Sequence, residues 1–235
     1  MHYFFSRNIQ DGFIYFSPEE ITHMQKSLRL HAGNEVEIMD GTGTRYICRL
    51  ENTEGRSLRG VIRHTTVQPV RKCALHIAIS PVKQMSRLEW FLEKSVEIGV
   101  ESITPIWCRR SVRARIKMDR LEKVAISALK QSGQFFLPII NPSKKFTEYL
   151  DEHDTFANRY IAYCGKQLPL LSACLPAGSP SIVCIGPEGD FTPEEVEEAM
   201  AKGFKPVSLG NYRLRTETAG IYVCTIVKTL NEIQS

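Results

Sequence analysis

The chain has 235 residues and a mass of 26.7 kDa, with 30 Lys and Arg against 26 Asp and Glu, a net charge of +4 and an isoelectric point of 8.6. Hydrophobic residues make up 43%, enough for a real core, which excludes disordered, collagen-like and disulfide-miniprotein classes, and the length suits one to two domains. No stretch approaches the roughly 18 uncharged apolar residues of a membrane helix, and Met1-His2-Tyr3-Phe4-Phe5-Ser6-Arg7 lacks the basic-then-apolar order of a secretory signal, so a soluble, cytoplasmic protein without a membrane partner is expected.

The first 70 residues read as short strands joined by turns. Ser17-Pro18-Glu19-Glu20 sets a cap residue, a first-turn Pro and a capping-box Glu in register, predicting one helix through Ile21, Met24 and Leu28. Glu35 to Met39 alternates polar and apolar, Asp40-Gly41-Thr42-Gly43 is a hairpin-type turn, and Thr44 to Leu50 and Leu58 to Ile62 are further strand candidates, together a small β-barrel. Gln68 to Lys72 reads as a linker.

From Cys73 the pattern alternates strand and helix. Strands are predicted at Ala74–Ser80, Ser102–Trp107, Tyr160–Cys164, Ser181–Ile185 and Lys205–Leu209. Helices are predicted from Met85 to the stop at Gly99, through Leu121 to Leu129, and from about Thr218 to Glu232. Such alternation implies an α/β domain over 73–235 with a mostly parallel sheet, whose ligands bind at the carboxyl ends of the strands. The seven cysteines (48, 73, 108, 164, 174, 184, 224) are odd in number and never spaced Cys-x-x-Cys, against a disulfide framework or a thiolate zinc site. A buried small hydrophobe is the expected role for those in apolar runs, such as Cys184.

Charge is unevenly spread. Residues 1–72 carry a net +2, 83–145 a net +7 and 146–235 a net −5. Within the basic middle, Arg109, Arg110, Arg113, Arg115 and Lys117 form a run with no acid, and guanidinium forks suit phosphate, so RNA or another polyanion is the expected partner; a solvated face is the alternative.

Two loops follow strands in the C-terminal half. Ile185-Gly186-Pro187-Glu188-Gly189-Asp190-Phe191 leads into a capping box at Thr192-Pro193-Glu194-Glu195, and reads either as a tight turn needing glycine for positive φ or as a ligand-binding loop. Leu209 to Ala219 brings Arg213, Arg215 and Glu217 to the same sheet end; helix capping by Thr216 and Glu217 is the structural alternative. Neither loop offers a metal set, a Gly-x-Ser-x-Gly elbow or a Gly-x-Gly-x-x-Gly signature, which leaves group transfer from a bound donor.

These loops resemble those of the SPOUT methyltransferase superfamily, specifically the RsmE family, which methylates N3 of a uridine in small-subunit ribosomal RNA. The resemblance is carried by Gly186-Pro187-Glu188-Gly189, Leu209-Gly210, Leu214-Arg215-Thr216-Glu217-Thr218-Ala219, the Lys83–Arg87 stretch with Glu89, Lys94 and Glu97 to Val100, and Gln131-Ser132; in the first domain, His23, Leu28-Arg29, Gly33 and Asp40-Gly41 match. Where the family pattern has a further glycine after Gly189 this chain has Asp190, Tyr212 stands for an Arg with Arg213 following, and Gln134 stands for another Arg.

The resemblance implies an N-terminal PUA-like barrel over 1–70 and a C-terminal domain with a deep trefoil knot. It implies S-adenosylmethionine as cofactor, bound by Tyr163, Gly165, Ile185, Gly186, Glu188, Gly189, Leu209, Gly210, Leu214, Thr218 and Ala219, with no metal and a homodimer completing the site. Ribosomal RNA, or the assembled small subunit, would be held by Arg7, Arg29, Arg45, Arg109, Arg110, Arg113 and Arg115. Uridine N3 must lose a proton, so a carboxylate base is expected, Glu217 ahead of Glu188, with Arg215 orienting the nucleotide, or an Arg of the 109–115 run reaching across the dimer. A knotted methyltransferase acting on another RNA, and a non-catalytic ribosome-associated RNA-binding module, are the rival readings.

Overall fold

The computed structural model describes residues 3–53, 57–69, 74–112, 115–153 and 157–233. The chain divides into two compact units, Met1–Val70 with Ile126–Leu137, and Arg71–Ala125 with Pro138–Ser235. The expected linker falls largely outside the described residues, as does Cys73.

The first unit is a curled six-stranded sheet of β1 (Tyr3–Phe5), β2 (Asn8–Gln10), β3 (Phe13–Tyr15), β4 (Glu35–Met39), β5 (Thr44–Asn52) and β6 (Leu58–Val67), in the order β1-β4-β5-β6-β3-β2. β1 and β4 pair in parallel and the other neighbours are antiparallel. Phe4, Ile14, Val36, Ile38, Cys48, Leu50 and Leu58 gather in its core with Met24. Helix α1 (Pro18–Thr22) begins at the predicted cap, where Ser17 Oγ accepts from the Glu20 N–H at 3.2 Å. It does not run on as an α-helix to Leu28: His23–Ser27 form a π-helical turn, and Arg29 follows in the left-handed region at φ 54°.

Asp40 organises the next turn, its Oδ1 accepting from the N–H groups of Thr42 (2.7 Å) and Thr44 (3.1 Å). A later segment of the chain closes onto that turn. The Gly43 N–H donates to the Phe135 carbonyl (3.1 Å) and the Leu137 N–H to the Gly41 carbonyl (2.9 Å), while Lys130 Nζ meets the buried Glu20 carboxylate at 2.7 Å. These bonds explain why Ile126–Leu137, placed with the C-terminal domain by sequence, belong to the first unit.

The second unit holds a parallel sheet of β7 (Leu75–Ile79), β8 (Ser102–Trp107), β9 (Ile139–Ile140), β10 (Lys144–Lys145), β11 (Asn158–Ala162), β12 (Ser181–Ile185) and β13 (Lys205–Val207). Its order is β10-β8-β7-β12-β11-β13, with β9 beside β8. The helices are α2 (Met85–Ile98), α3 (Met118–Ser132, divided between the units), α4 (Phe146–Glu152), α5 (Leu171–Cys174), α6 (Pro193–Ala201) and α7 (Thr216–Ile233). β12 is buried along its whole length, as a central parallel strand must be, and burial pushes the Cys184 thiol well above its ordinary value. Among the described residues no helix is long and apolar enough to cross a membrane.

Helix α2 buries Leu88, Phe91, Leu92 and Val96 and stops at Gly99, whose φ of 105° lets its N–H cap the Ser95 carbonyl at 2.9 Å. Its partner α7 approaches closely because Gly220 has no side chain: a Cβ there would sit 2.3 Å from the Phe91 ring. Gly220→Ala is therefore expected to destabilise by about 1–2 kcal/mol, overpacking of roughly 2–3 kcal/mol, the upper part of the usual range, exceeding the roughly 1 kcal/mol gained in helix propensity. Thermal unfolding should show a fall in Tm of a few degrees. An unchanged or higher Tm would mean that Phe91 yields freely.

Candidate active site

Because every pair in the second sheet is parallel, the loops after β8, β11, β12 and β13 leave from one edge. Sequence neighbours also part company there: β7 has β8 on one side and β12 on the other, a switch point of the kind where open α/β sheets hold ligands. A cleft of about 840 Å³ opens at this edge, within the roughly 300–1,000 Å³ typical of small-molecule sites. Its walls are Tyr163 to Gly165 after β11, Ile185 to Phe191 after β12, Ser208 to Leu214 after β13, Thr216 and Ala219 of α7, and Arg110 after β8.

The turn after β12 ties these parts together, one residue at a time. The Gly186 carbonyl accepts from Thr216 Oγ1 of α7 at 3.0 Å. Glu188 Oε1 meets Arg87 Nη1 of α2 at 3.1 Å, and the Gly189 carbonyl accepts from Arg110 Nη1 at 2.7 Å. Asp190 Oδ2 accepts from the Cys164 N–H at 3.0 Å. The chain then enters α6 through the predicted capping box, in which Glu195 Oε2 accepts from the Thr192 N–H (2.9 Å) and Thr192 Oγ1 from the Glu195 N–H (3.3 Å). The other oxygen of Glu195 accepts from the Arg109 N–H at 2.7 Å, so one carboxylate caps a helix and anchors the start of the basic run.

Neither Gly186 nor Gly189 is at positive φ; in this turn the left-handed residue is Asp190, at 64°. Gly186 is favoured for a different reason, since a Cβ would stand 3.0 Å from the Phe191 ring and 3.2 Å from its nitrogen and could enter only if Phe191 gave way.

Ten of the residues predicted for a cofactor line the cleft: Tyr163, Gly165, Ile185, Gly186, Glu188, Gly189, Leu209, Gly210, Leu214 and Ala219. Thr218 does not. It is exposed, because on α7 the cleft face runs through Thr216 and Ala219, one turn apart, and Thr218 falls elsewhere on the helix. Of the three predicted catalytic residues, only Glu188 lines the cleft. Arg215 is exposed outside it, and Glu217 is buried with Oε1 3.7 Å from Arg87 Nε and Oε2 lacking a hydrogen-bond partner. Arg87 thus stands between the two carboxylates. Sequence reasoning passed over it as a site residue, although its stretch belonged to the family resemblance.

Of the arginines expected on RNA, Arg110 is a cleft residue and Arg109 lies 3.5 Å from Glu194. Arg115 is exposed and Arg113 lies outside the described residues. In the first unit Arg7 and Arg29 are exposed, Arg7 with its guanidinium 5.4 Å from the Phe5 ring centre. Arg45 is engaged internally, 3.4 Å from Glu37 and stacked 4.8 Å from Phe135. Cys164 faces the cleft, but burial and then the Asp190 charge raise its thiol, so it supplies no ready thiolate. Among the described residues no cluster of His, Cys, Asp or Glu could hold a metal ion.

Comparison with known proteins matches residues 69–228 to the model of an RNA methyltransferase domain and residues 16–63 to that of an RNA methyltransferase PUA domain. The chain is 27% identical over 229 residues to ribosomal RNA small subunit methyltransferase E of Bacillus subtilis, covering 92% of this chain and 89% of that protein. A probable rRNA-methyltransferase from Porphyromonas gingivalis has a structure similar over 100% of both chains, with a TM-score of 0.92 and 36% identity. The ribosomal RNA small subunit methyltransferase E of Neisseria gonorrhoeae, solved bound to S-adenosylmethionine, matches with a TM-score of 0.83 and 28% identity over 98% of both chains.

Proposed function

We propose, because the chain belongs to the RNA methyltransferase family and within it to the ribosomal RNA small subunit methyltransferase E group, that it transfers the methyl group of S-adenosylmethionine to N3 of a uridine in small-subunit ribosomal RNA. The observation that carries this reading is the convergence of three loops, after β11, β12 and β13, on one cleft at the carboxyl end of the parallel sheet. The cleft suits the donor's mixed character. Ile185, Leu209, Leu214 and Ala219 offer apolar surface for an adenine, while Arg110, Arg213 and Glu188 offer charge of both signs for a sulfonium amino acid.

When bound there, S-adenosylmethionine supplies an electrophilic methyl group, so alignment matters more than acid catalysis. The chain's part is to hold the acceptor and remove its proton. Glu188 is our choice of base, since it lines the cleft with an exposed side chain, whereas Glu217 is buried behind Arg87. Arg87 fixes the Glu188 carboxylate and Glu217 backs Arg87. Arg215, exposed beside the cleft, is free to meet an incoming phosphate. The uridine must be single-stranded or flipped, because pairing hides N3.

The first unit serves as an RNA grip through Arg7 and Arg29, the basic run of the second unit offers Arg109 and Arg115 to RNA, and a ribosomal substrate supports a cytoplasmic location. The trefoil knot belongs to the same proposal, supported by α7 packing back on the sheet with its first residue bonded to the Gly186 carbonyl. So does the homodimer: Tyr212 is 88% exposed although it lines the cleft, and Leu214, Trp90 and Tyr222 are exposed as well, a surface suited to a second subunit.

Gly186→Val should weaken S-adenosylmethionine binding by on the order of tenfold or more, because the new side chain must displace Phe191 or the turn. Calorimetry on the folded variant is the check, and unchanged affinity would show the donor site to be misplaced. Arg115→Ala should flatten the log–log salt dependence of RNA binding by roughly 0.7–0.9, the contribution of one phosphate contact; an identical slope would make Arg115 part of a solvated face. Light scattering in about 1 M salt should give twice 26.7 kDa, since an apolar interface on the order of 2,000 Å² resists salt. A mass of 26.7 kDa would remove the dimer from the proposal.

A further inference from the structure

We propose that Asp190 is a positioning residue for the cofactor: its carboxylate ties the loop after β11 to the turn after β12 and so fixes the distance between two walls of the cleft. The inference rests on the methyltransferase reading above. Both oxygens are committed to backbone donors, Oδ2 to the Cys164 N–H at 3.0 Å and Oδ1 to its own neighbour, the Phe191 N–H, at 2.8 Å. Bonds to an ionised acceptor are among the stronger ones a loop can make. With both oxygens used, Asp190 is a tie rather than a proton acceptor.

The position of the tie is informative. The Tyr163 N–H still donates to the Val207 carbonyl of β13, at 3.0 Å, so residue 163 is held by the sheet. Cys164 is the next residue, exposed, and its N–H is taken by Asp190 across the cleft. The carboxylate therefore extends the ordered wall one residue beyond the end of strand pairing. On the other side it fixes the Phe191 nitrogen, and with it the buried ring that covers Gly186. The Asp190 N–H closes the turn on the Pro187 carbonyl at 2.8 Å. A left-handed backbone is unfavourable for a residue with a side chain, and glycine would fit it better. Glycine could not make the cross-loop bond.

The test uses Asp190→Gly, which keeps the backbone and removes the tie, and Asp190→Asn, which tolerates the left-handed region and keeps an oxygen acceptor. In Asp190→Gly we expect hydrogen exchange at the Cys164 amide to accelerate. Kd and KM for S-adenosylmethionine should rise by about tenfold, the scale of one or two lost hydrogen bonds. kcat at saturating cofactor and the KM for RNA should stay within about twofold, because the acceptor side is untouched. Asp190→Asn should restore cofactor affinity to within about threefold. If the glycine variant does not fold, Asp190→Ser, too short to span to Cys164, takes its place. Unchanged affinity in a variant whose Cys164 amide has been released overturns the inference alone, as does a loss with Asn as large as with Gly. Failure of the unaltered chain to bind S-adenosylmethionine overturns the methyltransferase reading and this inference with it, and the exchange measurement, which needs no cofactor, shows in that case whether the tie is only structural.

Discussion

Gly186 has little room for a Cβ, because Phe191 folds back with its ring and backbone nitrogen 3.0 and 3.2 Å from where that atom would stand. That contact makes the turn after β12 compact, and its compactness lets successive residues reach separate elements. The Gly186 carbonyl holds α7, Glu188 meets α2, the Gly189 carbonyl takes the arginine after β8, and Asp190 takes the loop after β11. A looser turn would leave the same side chains present but independent. The cleft is a property of the ties rather than of any one wall.

Much of this architecture was legible from residue pattern, for identifiable reasons. Ser181–Ile185 is a short apolar run bounded by Pro and Gly and stands where the pattern places it, whereas the strand read from Leu58 to Ile62 runs on to Val67. Cap signals at Ser17 and Thr192 carry their own chemistry, so both helices begin at the marked residue. Two-residue strands such as Ile139–Ile140 and the four-residue Leu171–Cys174 helix are too short to show a period. The glycine-bearing loops likewise announced the cleft. Sequence could not say which carboxylate faces it, because that depends on helix phase: a residue at the start of α7 points to the cleft at 216 and 219 and into the body of the protein at 217. Nor could it pair Arg87 with Glu188, 101 positions away.

The arginines show how one residue type is spent differently by context. Composition alone groups Arg45, Arg109, Arg110 and Arg115 as a cationic resource. In the fold, Arg45 is flattened between Glu37 and the Phe135 ring, Arg110 is drawn to a backbone carbonyl, and Arg115 is left to solvent. A planar guanidinium permits all three uses, stacking, donation to a carbonyl and free charge, which is why net charge predicts a polyanion partner better than it predicts the contact residues.

The return of Ile126–Leu137 to the first unit bears on how the chain can be made and cut. During synthesis, residues 1–70 emerge well before their closing segment, and until residue 137 leaves the ribosome the Gly41 carbonyl, the Gly43 N–H and the Glu20 carboxylate have only water for company. The first unit is therefore finished only after β7, α2 and β8 of the second already exist as chain. A fragment ending at the linker is an incomplete object rather than a portable module, and the two halves of the sequence are bound into one heritable unit by a dozen residues.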